Sequence, residues 1–145
     1  MSSTVGQPPI SPPDVAIVGL GAAARAIWVP ALSQIGATIV AGADPDGTAR
    51  RSFGRLVPRA SLHPDLETLL GDHAAPWIVV AAPPGAHGAL VSQALDAGRH
   101  VLCEKPFVAD LPTADRLIAQ AASAGLALAV NHELPRLPIL AATLS

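Results

Sequence analysis

The stretch that decides the fold is VAIVGLGAAA at residues 15–24. Its first four residues are apolar and mostly β-branched, which predicts a short buried strand that ends at Gly19. The next six fit the pattern G-x-G-x-x-A of a dinucleotide-binding turn. In that pattern the first glycine permits the tight bend, the second lets a pyrophosphate approach the backbone, and the small last residue packs helix against strand. The alanine-rich segment that follows predicts a helix whose first N–H groups face an anion.

Strand and helix patterns alternate through the rest of the chain. Further strands are predicted at 38–41, 60–62, 77–81, 100–103 and 126–130, and helices at 22–35, 47–53, from about 63–67 onward, 85–97 and 111–124. Near-continuous apolar strands between helices are typical of a parallel sheet covered on both faces. The predicted fold is therefore α/β, a single doubly wound Rossmann-type domain. Pro30 predicts a kink or an early end in the first helix.

Composition narrows the class of protein. The chain has 145 residues, of which 50% are hydrophobic and 14% charged, so it can bury one core. Its formal net charge is −2 and no cationic cluster stands out, which gives no support for a nucleic-acid surface. The single cysteine, Cys103, excludes an internal disulfide and favours a reducing compartment. Residues 1–13 lack a signal-peptide pattern and are expected to form a flexible tail, and a cytoplasmic location without membrane contact is expected.

An acidic residue follows the second predicted strand. Asp44 lies 20 residues beyond Ala24, where a carboxylate is expected to bind the ribose hydroxyls of a dinucleotide. An unrelated strand-to-helix turn in another doubly wound protein is the alternative explanation. A carboxylate repels a 2′-phosphate, so the expected cofactor is NAD, with NADP as the alternative. Arg50 and Arg51 could serve a phosphate, but solvated charges on a helix explain them as well.

A charged turn closes the predicted strand at 100–103. Residues 97–106 read AGRHVLCEKP, so that Glu104, Lys105 and Pro106 follow the carboxyl end of a strand. Open α/β sheets hold their ligands at that edge. A purely structural turn is the alternative, because prolines commonly occupy turns. Cys103 itself is expected to be a buried strand residue.

Together with APPGAH at residues 82–87, these segments resemble the Gfo/Idh/MocA oxidoreductases. The cofactor domain of that family carries a glycine fingerprint, a Pro-Pro turn followed by His, and a segment like AGKHVLCEKP. The resemblance covers about residues 14–139 and rests on motif, order and spacing together. The chain departs from the family at Trp28, where a His is common, at Ala82, where a Thr is common, and in residues 130–136, which lack the commoner aromatic and arginine pattern.

The resemblance implies hydride transfer between a nicotinamide dinucleotide and a sugar, a polyol or a related alcohol or carbonyl compound. It identifies Lys105 as the catalytic lysine, which supports charge developing on the substrate oxygen while the cofactor carries the hydride. Glu104 would bind cofactor or orient the lysine, and Pro106 would fix the turn, for which a cis peptide bond is one means. The cofactor-binding residues given by the fingerprint and the resemblance together are Gly19, Gly21, Ala22, Ala23, Ala24, Asp44, Ala82, Pro83, Pro84, His87, Glu104, Lys105, Pro106 and Asn131.

The resemblance also sets the expected domain organisation. Residues 14–133 are expected to form the NAD(P)-binding domain and residues 134–145 the start of a helix leading to a substrate domain, which in the family supplies the catalytic histidine. A small-molecule substrate is then expected only if that second domain is supplied, and homo-oligomerisation stays open. The alternative function is a stand-alone nucleotide-binding or regulatory module without turnover.

The histidines outside the motifs do not form a metal-binding pattern. No His, Asp or Glu spacing forms a metal set, so no metal site is expected. His132 follows the last predicted strand and could face a ligand. His63, His73 and His100 match no motif and are expected at the surface or in packing contacts.

Overall fold

A computed structural model describes residues 11–132 of the chain, so most of the expected N-terminal tail and all of the expected connecting helix lie outside the described residues. Six parallel strands form one sheet in the order β3-β2-β1-β4-β5-β6. The strands are β1 (Asp14–Val18), β2 (Thr38–Ala43), β3 (Ser61–His63), β4 (Trp77–Val80), β5 (His100–Cys103) and β6 (Leu128–Val130). The predicted doubly wound α/β fold is confirmed, and each strand lies within two residues of its predicted position.

Helices connect every pair of consecutive strands. They are α1 (Val29–Gln34), α2 (Gly47–Leu56), α3 (Leu66–Asp72), α4 (His87–Asp96) and α5 (Leu111–Ala124), with a short 3₁₀ turn (Pro84–Ala86) before α4. Aspartates begin three of them, because the side chains of Asp46, Asp65 and Asp110 accept hydrogen bonds from backbone N–H groups in the first turns of α2, α3 and α5. Gly125 directly follows the predicted helix at 111–124 and ends α5 in the left-handed conformation. No helix within residues 11–132 is long and apolar enough to cross a membrane.

The helix after β1 differs from the expectation at Pro30. Helical backbone begins at Ala22, but residues Ala24–Trp28 form a π turn, and the Val29 N–H donates to the Ala24 carbonyl five residues back. The α-helical hydrogen bonding resumes only at Val29, with Pro30 in its first turn. A proline ring inside a regular α-helix clashes with the carbonyl four residues earlier, and the wider π turn relieves that contact. The predicted irregularity is therefore present as a widened turn, not as a break.

The core lies on both faces of the sheet because side chains alternate along each strand. Ala16 and Val18 of β1 pack on one face with α3, α4 and α5, whereas Val15 and Ile17 pack on the other with Leu32 and Phe53. Complete burial of an Ile or Phe side chain contributes about 1.5–3 kcal/mol to folding, so both clusters stabilise the sheet. Because all the strands are parallel, the carboxyl ends of β1, β2, β4, β5 and β6 lie along one edge.

Candidate functional site

The glycine turn is locked between three strands. Gly19 has φ +87°, and a Cβ placed on it would lie 2.3 Å from the Ala82 nitrogen. Its N–H donates to the Ala43 carbonyl at 2.8 Å. No other residue fits both the positive φ and this close approach, so Gly19 joins the ends of β1, β2 and β4.

The second glycine of the fingerprint meets empty space instead. A Cβ on Gly21 would have no protein atom within 4 Å, and its backbone does not need positive φ. Ala24 is fully buried, as the fingerprint predicts for its small last residue. Ala22 is exposed and Ala23 is half-buried. The open side of Gly21, at the start of a helix, fits the close approach of a pyrophosphate.

Asp44 is joined to the glycine turn by hydrogen bonds. Its Oδ2 accepts from the Leu20 N–H and its Oδ1 from the Asp46 N–H, both at 2.8 Å. A carboxylate offers about four acceptor positions, so these two bonds leave acceptor sites for ribose hydroxyls. Asp44 therefore fits a ribose-binding role and also fixes the turn that would hold the phosphates.

The two arginines after Asp44 have protein partners. Arg50 donates to the carbonyl oxygens of Asp44 at 2.6 Å and Pro45 at 3.1 Å, and Arg51 donates to the Thr48 hydroxyl at 2.9 Å. The sequence alone suggested only solvated charges or a phosphate ligand. The role of Arg50 in holding the backbone that carries Asp44 was missed, since nothing in the spacing indicates a side chain folding back on those carbonyls.

A groove of about 380 Å³ runs along this part of the sheet edge. Four of its lining residues were predicted: Gly19, Asp44, Ala82 and Pro83. Pro64, Asp65 and Leu66, at the beginning of α3, also line it and were missed. Their position directly after β3, next to β2, is the signal that could have found them. The groove has the place and size expected for the adenosine half of a dinucleotide.

A second group of residues lies at the ends of β5 and β6. Glu104 is only 8% exposed, and its Oε1 accepts from the Asn131 side-chain amide at 3.0 Å. Its Oε2 accepts from the Lys105 N–H at 3.2 Å. The Lys105 side chain is exposed at the edge of the sheet, and the Lys105–Pro106 peptide bond is cis. Glu104 thus joins the charged turn to Asn131 and orients the backbone of the lysine.

His87 lies beneath these two groups. Its ring is fully buried, with Nε2 2.7 Å from the Ala82 carbonyl oxygen and Nδ1 2.8 Å from that of Pro106. Pro83 and Pro84 are exposed beside it. His87 therefore contacts the walls of the site from inside the protein and does not face the groove.

The remaining candidates lie in other environments. His63 and His73 both contact the Ser61 hydroxyl, and the His100 ring packs against Trp77 with centroids 4.9 Å apart. His132 is exposed. No group of three or more His, Cys, Asp or Glu side chains among residues 11–132 is arranged to hold a metal ion.

Cys103 is buried at the end of β5, as predicted. Burial raises the pKa of its thiol to about 12, and the neighbouring Glu104 carboxylate adds to the rise. The thiol is therefore un-ionised at neutral pH.

A parallel sheet with a glycine turn, an acid at the end of β2 and a groove at its carboxyl edge has the architecture of a dinucleotide-binding Rossmann domain. Within that class the match is specific. The family model of the Gfo/Idh/MocA oxidoreductases, described as an oxidoreductase family with an NAD-binding Rossmann fold, matches residues 14–132. The chain belongs to this family.

Relatives match the chain over most of its length. An uncharacterized oxidoreductase of Schizosaccharomyces pombe is 34% identical over 124 residues, which cover 83% of this chain and 34% of the relative. A dehydrogenase from Bordetella pertussis, solved with NADH and UDP-GlcNAcA, is 26% identical with a TM-score of 0.78, covering 83% of this chain and 37% of that one. A 3-ketoreductase from Actinomadura kijaniata, solved with NADP and TDP-benzene, is 30% identical with a TM-score of 0.77 and the same coverages. The chain thus spans about a third of the length of these proteins.

Proposed function

We propose that the chain is the cofactor-binding part of an oxidoreductase that moves hydride between NAD(P) and a sugar, a polyol or a related alcohol or carbonyl compound. One observation carries the proposal. The Gly19 turn, Asp44 and the group formed by Glu104, Lys105 and Asn131 all lie at the carboxyl edge of one sheet. That edge is where doubly wound proteins bind dinucleotides in an extended form.

The adenosine half of the cofactor fits the groove beside β1 and β2. Asp44 would accept hydrogen bonds from the ribose hydroxyls, and the N–H groups at the start of the first helix would face the pyrophosphate above Gly21. Ala82 and Pro83 border the same groove and would limit it on the side of β4. The turn is fixed before any ligand arrives, because Asp44 already holds the Leu20 N–H.

NAD is the preferred cofactor in this proposal. A 2′-phosphate would place its negative charge beside the Asp44 carboxylate, which is unfavourable at hydrogen-bonding distance. Arg50 and Arg51 each use one guanidinium nitrogen in the bonds to backbone carbonyls and to Thr48, which leaves further N–H donors on both side chains. NADP, with its 2′-phosphate bound by one of these arginines, is therefore the alternative cofactor.

The nicotinamide half would lie toward Glu104, Lys105 and Asn131. When bound, the nicotinamide ring supplies the hydride chemistry. The Lys105 ammonium would donate a hydrogen bond to the substrate oxygen and stabilise negative charge on it, while Glu104 and Asn131 fix the turn that carries the lysine. The general acid or base and the substrate pocket are proposed to come from a second domain, and the location is proposed to be cytoplasmic, which the single free thiol of Cys103 supports.

Lys105→Ala tests the proposed catalytic role in an enzyme that combines this chain with a substrate domain. We expect turnover to fall by roughly 10²–10³-fold, because an electrostatic contact to the reacting oxygen is lost, while NAD affinity changes little. Steady-state kinetics and calorimetry measure the two quantities. Arg116→Ala, an exposed cation on α5, is the control and should change neither. Unchanged turnover in Lys105→Ala would remove the lysine from the site.

A further inference from the structure

His87 has surroundings that a neutral imidazole cannot satisfy. Its Nε2 lies 2.7 Å from the Ala82 carbonyl oxygen, and its Nδ1 lies 2.8 Å and 3.1 Å from those of Pro106 and Phe107. Carbonyl oxygens only accept hydrogen bonds, and a neutral ring has one N–H donor and one lone pair. In either neutral tautomer one ring nitrogen would point its lone pair at an oxygen less than 3 Å away.

We infer that His87 is held as an imidazolium cation that ties the Ala82 turn to the Lys105–Pro106 turn. Only the doubly protonated ring donates to both sides, and bonds from a charged donor are about twice as strong as neutral ones. Burying the charge in a fully buried ring is costly. Three carbonyl oxygens around the ring offset that cost, because each is a hydrogen-bond acceptor whose negative end faces the ring.

The two turns that His87 joins belong to the two halves of the site. Ala82 borders the groove. Its backbone nitrogen occupies the space where a side chain on Gly19 would lie. The Pro106 carbonyl follows Lys105 directly. The charged ring therefore sets the separation of the groove wall from the lysine, which makes His87 a positioning residue. This consequence for cofactor binding rests on the proposed function, whereas the charge on the ring rests only on its hydrogen-bond partners.

Few ionisable groups lie on the elements packed against His87. The Ala82–Pro84 turn carries none, and Asp96 is at the far end of α4 itself. The other groups on the adjoining elements are His100 at the amino end of β5, Cys103, Glu104, Lys105 and Asp110 around the β5–α5 connection, Asp115 and Arg116 on α5, and Asp65, Glu67 and Asp72 on α3. With the pKa of Cys103 raised to about 12, its thiol does not titrate near neutrality. A pH-dependent change in cofactor affinity is therefore assigned to His87 only if His87→Gln abolishes it and His100→Gln does not.

Nitrogen NMR of the histidine rings in the 145-residue chain measures the charge directly. We expect both His87 ring nitrogens to carry protons at neutral pH, and a single unprotonated ring nitrogen there would overturn the inference. His87→Gln assigns the signals by their loss. If that variant does not fold, single His→Gln changes at the other four histidines, which include the exposed His132, assign the His87 signals by elimination.

Calorimetric titration with NAD+ then tests the positioning role. As pH rises through the His87 titration seen by NMR, we expect binding to weaken roughly tenfold, the size of one charged hydrogen bond. His87→Gln should bind weakly at every pH, and His100→Gln, at the opposite edge of the sheet, should keep the wild-type profile. An affinity that ignores the His87 titration would overturn the positioning role. A doubly protonated ring in a chain that binds no dinucleotide would instead contradict the proposed function and leave the charge assignment standing.

Discussion

Two glycines only two residues apart serve different physical needs. Gly19 is required by the fold, because its φ of +87° and its contact with Ala82 exclude any side chain. Gly21 is not required by the fold, since a methyl group there would enter open space. The pattern G-x-G-x-x-A predicts both positions and their different roles. It does not predict that the space beside Gly19 is closed by Ala81 and Ala82, because that contact depends on where β4 ends.

Gly21→Ala should therefore separate folding from binding. We expect the free energy of unfolding to change by less than about 1 kcal/mol, as for Gly→Ala at a compatible backbone. Affinity for the dinucleotide should fall more than about tenfold, because the methyl group occupies the space of the pyrophosphate. Urea unfolding and calorimetry measure the two effects. Gly71→Ala, also facing open space, is the matched control and should leave affinity unchanged; equal affinities in the two variants would contradict the role of Gly21.

Asp44→Ala should weaken NAD far more than NADP. The change removes acceptors for the ribose hydroxyls, and hydrogen bonds to a charged group contribute about 1.5–3 kcal/mol each. It also removes the repulsion that opposes a 2′-phosphate, so the loss for NADP is smaller. Parallel titrations with both cofactors measure the difference. Asp46→Ala removes an exposed cap two residues away and should leave the preference intact; an equal loss for NAD and NADP in Asp44→Ala would refute the ribose role.

Cys103 should be inert in the folded chain. A thiol with its pKa raised to about 12 is un-ionised at neutral pH, and the thiolate is the reactive form. Modification by a disulfide reagent should be slow in native buffer and fast in denaturant. As pH rises toward the thiol pKa, reactivity of the folded chain should increase. Rapid labelling of the folded chain at neutral pH would show that β5 is not packed as described.

At the scale of the elements, local chemistry predicted most of the structure. The apolar runs predicted the strands. Gly36, Gly98 and Gly125 directly follow the predicted helices at 22–35, 85–97 and 111–124, and each has positive φ. The π turn before Pro30 could not be predicted from sequence, because a helix can accommodate a proline by a kink, a break or a widened turn. The beginning of α3 lies within the predicted range of 63–67, where the side chain of Asp65 accepts from the Thr68 N–H and Leu66 is the first helical residue.

The cap of α5 offers a test at this scale. Asp110→Ala should lower the free energy of unfolding by about 1 kcal/mol, because the Thr113 N–H loses its acceptor. Asp115→Ala removes the same charge from an exposed position one turn later and is expected to change stability by less than about 0.5 kcal/mol. Denaturant midpoints of the two variants measure the difference. If both variants unfold at the same midpoint, the cap does not stabilise α5.

At the scale of the whole molecule, the parallel sheet brings the candidate site residues together at its carboxyl edge. Asp44 and Lys105 are far apart in sequence and meet the same edge because parallel strands all end there. Sequence motifs predicted that Gly19, Asp44, Lys105 and Asn131 lie at this edge, but not that Pro64, Asp65 and Leu66 line the groove. They could not predict that Arg50 would bond to the backbone of Asp44 or that His87 would lie wholly inside, because those contacts depend on side-chain packing between segments.

The measurement that tests the central claim most directly is calorimetric titration of the folded 145-residue chain with NAD+, NADH, NADP+ and NADPH. Saturable binding of at least one dinucleotide, tighter for NAD(H) than for NADP(H) and strongly weakened in Gly21→Ala, is the predicted result. A chain that is folded by circular dichroism and binds none of the four would contradict the account.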